Sequence, residues 1–341
     1  MIKLTSSNVV KMYQVLNRSS QILEKSLNLS YLDAFVESCQ NILDSNHVRI
    51  KNGQPGKSAV QKLNQLYSEV DYRKFSSETV RRAIQLTMIK AIREDKIQAN
   101  HQITPGLIAF IMGYIMVRIL KGRQHLKLLD LTVGTGNLLT AVIYQLRRAL
   151  RCSINATGID NDETLISIAG VSAEMQRVPV NLIHQDALTN FKPNNYDLAI
   201  SDLPIGYYPL DQNAAHYQTK ASTGHSYAHH LLIEQAMNHV APGGFGEFLV
   251  PSTLFDTQMA KGLLSWMEKN VYLQGILNLP KELFGNARAQ KAVLLLQNHG
   301  KNAHQVHHVM IGEFPSFKRP AEFQKFIAEI VEWEEKDLLR R

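Results

Sequence analysis

Two features that would place this chain outside a reducing interior are scarce. There are two cysteines in 341 residues, Cys39 and Cys152, too few for a disulfide-stapled scaffold. There is also no long apolar run. The most apolar stretch, residues 107–120, falls short of the roughly 20 residues that span a bilayer. It opens on Thr104 and Pro105, which suits the start of a buried helix. Residues 1–13 show no apolar core followed by a small-residue cleavage site. A cytoplasmic protein without a membrane partner is expected. Neither an internal repeat nor a low-complexity tract is present. Hydrophobic residues at 45% and charged residues at 20% are ordinary globular values and exclude global disorder. The length fits one large domain with a second, smaller part.

Negative charge is the scarcer sign, with 30 acidic against 37 basic residues and a formal charge of +7. Residues 1–100 carry 15 basic and 9 acidic side chains, whereas residues 201–300 carry 6 and 7. The N-terminal surplus includes Arg81, Arg82, Lys90, Arg93 and Lys96. A solvated helix face and a surface for nucleic acid or another anion both account for it.

Apolar residues spaced by three and four (Val15, Ile22, Leu27, Leu32, Phe35, Ile42) predict helices through residues 1–45. Residues 51–57, KNGQPGK, read as a turn or hairpin. Residues 59–98 again read as helical, with Ser76 and Ser77 as candidate caps ahead of Glu78. The texture changes after Gln102. Strands are expected at 126–131, 156–159, 180–184, 197–201, 246–250, 272–279 and 292–297. Helices are expected at 138–150, 163–176, 227–240 and 256–270. One more strand (304–311) and an amphipathic helix (321–339) close the chain. This alternation predicts an α/β fold with a mostly parallel sheet, whose ligands bind at the carboxyl ends of the strands.

The first strand runs into a glycine loop, LLDLTVGTGNLL (128–139). Gly134 and Gly136 permit a tight turn and close approach of a ligand to the backbone. Asp160 ends the second strand, where a carboxylate can bind ribose hydroxyls. Asp186 ends the third. A dinucleotide site would want a third glycine near 139, where this chain has Leu139, and an anion beside Asp130 would be repelled. An adenosine ligand with a cationic amino-acid tail suits all three acids: Asp130 near the amino acid, Asp160 on the ribose, Asp186 near the adenine amine. S-adenosylmethionine is that ligand.

LLDLTVGTGNLL, GIDND (158–162), HQDAL (184–188) and YDLAISDLPIGYYP (196–209) resemble motifs I to IV of the class I S-adenosylmethionine-dependent methyltransferases. NHQITP (100–105) resembles the Q-x-T-P segment of the N6-adenine methylases, which in that family packs over the methionine end of the cofactor. APGG (241–244), LVPS (249–252), LP (279–280) and LF (283–284) resemble the methylase subunits of type I restriction systems. Helical residues ahead of such a domain resemble the YtxK-type methylases of Gram-positive bacteria. The resemblance covers about residues 100–300. It implies a Rossmann-like class I methyltransferase with a seven-stranded, mostly parallel sheet plus an N-terminal helical domain. The implied division is 1–100 helical, 101–300 catalytic core and 301–341 extension. It implies Thr104, Pro105, Asp130, Gly134, Gly136, Asn137, Asp160, Asn161, Asp186 and Ala187 at the cofactor, S-adenosyl-L-methionine.

The fourth motif decides the acceptor. In amino-methyltransferases of this kind, (Asn/Asp/Ser)-Pro-Pro-(Tyr/Phe) follows strand 4. A side-chain oxygen and a main-chain carbonyl accept the two hydrogens of a conjugated amine and turn its lone pair toward the methyl. The aromatic stacks on a flipped-out base. Methyl transfer then depends mainly on alignment. Here Asp202 and Pro204 match the pattern. Leu203 replaces the first proline, which leaves an extra N–H. Ile205 replaces the aromatic, so stacking must come from Tyr207 or Tyr208, or be lost. Packing of the loop is the other account of these tyrosines.

Other features carry less. His225, His229 and His230 cluster, but without a third and fourth metal ligand, and no metal is expected. The polar segment 217–226 reads as a lid or simply a long loop. After Gly300 only 41 residues remain, too little surface for base-edge readout of a defined site. The expectation is an N-methyltransferase acting on an exocyclic amine of DNA or RNA, held through the basic helical residues. A methyltransferase of protein side-chain amides, or a binding protein that retains the fold without catalysis, are the alternatives.

Overall fold

The computed structural model describes residues 7–94, 103–192, 195–284 and 289–339. Its helices are α1 (Ser7–Leu27), α2 (Tyr31–Leu43), α3 (Lys57–Ser68), α4 (Ser77–Glu94), α5 (Gly106–Ile119), α6 (Asn137–Leu150), α7 (Glu163–Met175), α8 (Asp211–Ala214), α9 (Ala228–His239), α10 (Ala260–Asn270) and α11 (Pro320–Trp333). Its strands are β1 (His125–Asp130), β2 (Ser153–Asp160), β3 (Val180–His184), β4 (Tyr196–Asp202), β5 (Val240–Pro251), β6 (Val271–Asn278), β7 (Lys291–Asn298) and β8 (Met310–Glu313). No described helix is long and apolar enough to cross a membrane.

The strands form one sheet in the order β3-β2-β1-β4-β5-β7-β6-β8. β4 runs parallel to β1 and β5, with Leu128 opposite Leu198 and Asp202 opposite Leu249. β7 runs antiparallel between β5 and β6, with Lys291 opposite Pro251. The start of β7 therefore lies at the carboxyl ends of β4 and β5. The sheet has eight strands where seven were expected, because β8 pairs in parallel with β6 and lengthens that edge. The strand expected at 304–311 is confined to 310–313. Side chains capture the residues before it: Gln274 Oε1 accepts the Val306 N–H at 3.2 Å, and Gln305 donates to the Leu273 carbonyl at 2.7 Å.

Contacts divide the chain into two compact units. The first holds residues 1–113, 133–149 and 158–184. Its core comes from the expected helical spacing. Met12, Val15, Leu16 and Leu23 of α1 pack with Phe35 and Cys39 of α2, with Val80, Ile84 and Met88 of α4, and with Ile168, Val171 and Met175 of α7. Burying that stripe is what holds these helices together. The helix expected across 59–98 breaks at 69–76. There the Asp71 side chain takes the Arg73 N–H at 3.2 Å and Ser76 Oγ takes the Thr79 N–H at 3.1 Å. Such residues cap helices more readily than they continue them.

The second unit holds residues 114–132, 150–157 and 185–341. β5 and β7 are nearly continuous buried runs, as strands covered on both faces require. Two polar side chains are buried in these runs, Gln297 and Glu247; Glu247 is fully buried, and neither of its oxygens has a hydrogen-bond partner. Burial pushes its carboxyl well above the usual range, helped by nearby Glu334. Glu334 is equally buried and pairs with Arg118. Burial lifts Glu334 to about 7 against the pull of that guanidinium.

Candidate active site

In the first unit the glycine loop is fixed by the acid at the end of β2. Asp160 Oδ2 accepts the Gly134 N–H at 2.8 Å and Oδ1 accepts the Asp162 N–H at 3.1 Å. Gly134 and Gly136 adopt φ of +52° and +76°, a region other residues enter at a cost. Burial raises the Asp160 carboxyl while the two amides pull it down. This half-desolvated carboxylate thus braces the loop as well as being the acid expected at a ribose. Asn161 is exposed, and its carbonyl meets His184 Nε2 at 3.1 Å.

Thr104 is buried and Pro105 exposed ahead of α5; Gln102 of the expected segment lies outside the described residues. The Thr104 carbonyl accepts from Asn137 Nδ2 at 2.7 Å and from Gln85 Nε2 at 3.4 Å. Asn137 Oδ1 in turn accepts from Arg81 Nη1 at 2.7 Å, and Arg81 is gripped by both Glu78 oxygens at 2.7 and 2.8 Å. Asn137, expected at the cofactor, is therefore the link between α4 and the Thr104 segment. Arg81, one of the basic residues expected to grip an anion, is 4% exposed and committed inside the fold.

In the second unit the sheet edge gathers Asp130, Asp202 and Lys291. Asp130 is 1% exposed and accepts the Thr132 N–H at 3.1 Å. Thr132 Oγ1 donates to the Asp202 carbonyl at 3.1 Å, and Ser201 Oγ accepts the Leu131 N–H at 3.0 Å, which ties the ends of β1 and β4. The Lys291 Nζ pairs with Asp202 Oδ1 and also donates to the Leu203 carbonyl at 3.2 Å. Leu203, the replacement for proline, is fully buried, and its extra N–H donates to Leu249 at 3.0 Å. The substitution thereby adds a rung to the β4–β5 ladder instead of loosening the loop.

The two tyrosines separate. Tyr208 is buried, and its hydroxyl donates to Asp186 Oδ2 and accepts from Asn213 Nδ2 at 2.9 Å. Burial and the Asp186 carboxylate push it to about 12. Its ring is not free to stack on a base, and Asp186, which also accepts the Leu188 N–H at 2.9 Å, shares its charge with a phenol. Tyr207 is 59% exposed and stacks on Tyr227 with centroids 4.8 Å apart. Ala187 is buried, and its carbonyl accepts from Gln235 at 2.8 Å. The segment 217–226 is anchored. Buried Glu234 accepts the Gln218 and Thr219 amides at 3.0 and 2.8 Å, and Ser226 Oγ accepts the Ala221 amide at 2.9 Å.

Of the histidines, His225 pairs with Asp211 at 3.0 Å. His229 and His230 are buried, and desolvation takes them to about 3 and about 4. His229 is hydrogen-bonded to the Pro204 carbonyl, so it supports the loop from behind. Among the described residues no group of three or more His, Cys, Asp or Glu side chains is arranged to hold a metal. Sequence reasoning missed Lys291. It lies 89 residues from Asp202, and only the antiparallel insertion of β7 carries it to that edge.

This sheet order, with its antiparallel β7 and acids at the strand ends, is that of a Rossmann-like class I methyltransferase. Residues 104–333 match the N-6 DNA methylase family and residues 10–92 match the YtxK N-terminal helical domain. The chain belongs to the N-6 DNA methylase family. It is 31% identical to the uncharacterized protein YtxK of Bacillus subtilis, over 97% of this chain and 98% of that one. A crystal structure from Listeria monocytogenes, of a protein assigned to the class I S-adenosylmethionine-dependent methyltransferases, is 35% identical. It superposes with a TM-score of 0.89 over 96% of this chain and 99% of that one. A protein from Vibrio vulnificus described as a modification subunit of a type I restriction enzyme shares the fold at 13% identity, with a TM-score of 0.67 over 96% and 90% of the two chains.

Proposed function

We propose that this protein transfers a methyl group from S-adenosylmethionine to an exocyclic amino group of a nucleic-acid base in DNA or RNA, in the manner of N6-adenine methylation. One observation carries the reading. The Asp202 carboxylate and the Leu203 carbonyl converge on a single nitrogen, that of Lys291. Two acceptors aimed at one point are what a conjugated amine needs for its lone pair to be turned out of the ring.

The residues present fit the cofactor. Two glycines hold positive-φ backbone conformations that favour glycine, and carboxylates end β1 and β2 and follow β3. When bound, S-adenosylmethionine supplies a methyl group on a sulfonium. In this reading Asp160 takes ribose hydroxyls, Asp130 lies toward the amino-acid end and Asp186 toward the adenine amine. Thr104, Pro105, Gly134, Gly136, Asn137, Asn161 and Ala187 complete that set, Asn137 through the Thr104 carbonyl that it fixes. Asp202 accepts one hydrogen of the acceptor amine and takes the proton released as the C–N bond forms. The Leu203 carbonyl accepts the other hydrogen, and Pro204, bonded to His229 through its carbonyl, stiffens the loop. Tyr207 offers the exposed ring for stacking. The cofactor and acceptor residues all fall within 101–300, with residues 1–100 as a helical domain and 301–341 as an extension.

The test is methyl transfer from labelled cofactor to nucleic acid by the wild type and by Asp202→Ala. Transfer lost in the variant, with cofactor still bound, is the expected result. Label found on protein and never on nucleic acid would move the acceptor to a side-chain amide.

A further inference from the structure

Resting on the amine-acceptor reading of Asp202, we propose that Lys291 is a built-in occupant of the acceptor position, a side-chain plug that must withdraw before a base amine can be methylated. Its Nζ makes the contacts that the incoming amine must make, one to Asp202 Oδ1 and one to the Leu203 carbonyl. A nitrogen seated between these two acceptors fills the place that the incoming amine must take. The lysine also brings a positive charge to that carboxylate, which a neutral amine cannot match in attraction.

The surroundings allow a side chain, and not the strand, to move. The backbone on both sides of Lys291 is pinned. The Leu279 N–H donates to the Lys291 carbonyl at 2.9 Å, the Ser252 N–H donates to the Gln290 carbonyl at 2.9 Å, and Gln290 Nε2 donates to the Leu279 carbonyl at 2.7 Å. Lys291 itself is 20% exposed and Asp202 17%, so the plug has a path to water along a flexible four-carbon stem. A site closed most of the time binds its ligand more weakly in proportion to the open fraction. The plug therefore holds activity low and makes it depend on whatever draws the ammonium away. A polyanion can do this, because each phosphate near the sheet edge is a competing partner for the lysine.

The experiment uses the full chain. Transfer from labelled cofactor to an adenine-containing single-stranded DNA is compared for wild type, Lys291→Met and Lys291→Gln, the second serving if the first fails to fold. Removing the plug should raise kcat/KM by roughly ten-fold. An activity-independent arm follows amine-reactive labelling of each lysine by mass spectrometry. Lys291 should react far more slowly than Lys325, which is 81% exposed, and should speed up in Asp202→Ala. The proposal is overturned if removing Lys291 abolishes transfer as Asp202→Ala does, or if transfer is unchanged. It is overturned too if Lys291 labels as fast as Lys325 in the wild type, or if Lys291 is itself recovered methylated. Should no variant transfer label to nucleic acid while Lys291 is shielded and then freed by Asp202→Ala, the acceptor reading falls and the occupancy stands.

Discussion

Asn137 distinguishes a ligand contact from a scaffold. Asn137→Ala removes two hydrogen bonds of 2.7 Å, one from the Arg81 guanidinium and one to the Thr104 carbonyl. The charged bond is worth about 1.5–3 kcal/mol and the neutral one about 1 kcal/mol. Asn137 is 7% exposed, so little water replaces them. Glu78 still holds Arg81, and Gln85 still reaches Thr104, which lowers the expected loss to about 2–3 kcal/mol. At roughly 2–4 °C per kcal/mol for a domain of this size class, the melting temperature should drop by about 5–10 °C. The Thr104 segment loses its anchor, and a segment that must be ordered at the moment of binding weakens affinity. About 1.4 kcal/mol of added ordering cost is a ten-fold loss. Thermal unfolding and calorimetric titration with S-adenosylmethionine measure the two effects together. Unchanged melting with abolished binding would refute the scaffold role and make Asn137 a direct ligand contact. No change in either would refute the network.

Other outcomes follow from the same geometry. Asp160→Ala removes the acceptor of the Gly134 and Asp162 amides, so calorimetry should detect no cofactor binding; wild-type affinity in the variant would end the assignment. Glu247 and Glu334 both have carboxyls raised by burial, so they favour the folded state when protonated. That contribution is complete below about 4.5 and lost as pH rises through the raised values, about 7 for Glu334 and well above the usual carboxylate range for Glu247. Glu247→Gln should then stabilise the protein more at pH 8 than at pH 5 in urea unfolding, and an equal effect at both pH values would be inconsistent with a buried neutral acid. Tyr207→Ala should reduce transfer to nucleic acid while costing less than about 1 kcal/mol, the scale of its stack on Tyr227. Tyr208→Phe, which strands Asp186 and Asn213, should instead lower stability, and the reverse pattern would exchange their roles.

Most of the sheet was legible because its strands are local apolar runs, although β5 begins at Val240 where 246 was expected and β8 at Met310 where 304 was expected. The helical break at 69–76 was not, because Asp71 and Ser76 cap only when their side chains turn back on the chain, and apolar spacing does not report that. The acids at Asp130, Asp160, Asp186 and Asp202 were legible as strand-end residues. Their partners were not. Whether Tyr207 or Tyr208 faces water depends on Asp186 and Asn213, which sit at separations no periodicity links. Lys291 is the strongest case: nothing in its own neighbourhood marks it, and its meaning comes from a strand inserted antiparallel between β5 and β6.

The same distinction applies to charge. Residues 1–100 supply most of the formal surplus; part of it is committed to partners within the fold, while Lys11, Lys25, Lys51, Lys57 and Lys62 are exposed. Arg81 and Arg82 share Glu78, Arg49 pairs with Glu37 at 3.3 Å, and Lys90 donates to Asn17 at 2.6 Å beside the Tyr31 ring. Arg177 of the first unit donates to the Phe75 carbonyl at 2.6 Å and to that of Arg73 at 3.2 Å. A cation held this way still contributes to the long-range field that draws a polyanion in. It is poorly placed to leave its partner and form the direct phosphate contacts that fix register. The engaged cations therefore suit steering, and the exposed lysines are the ones placed to meet a phosphate. Attraction of a polyanion also fits an acceptor site whose own lysine has to be drawn off before chemistry can begin.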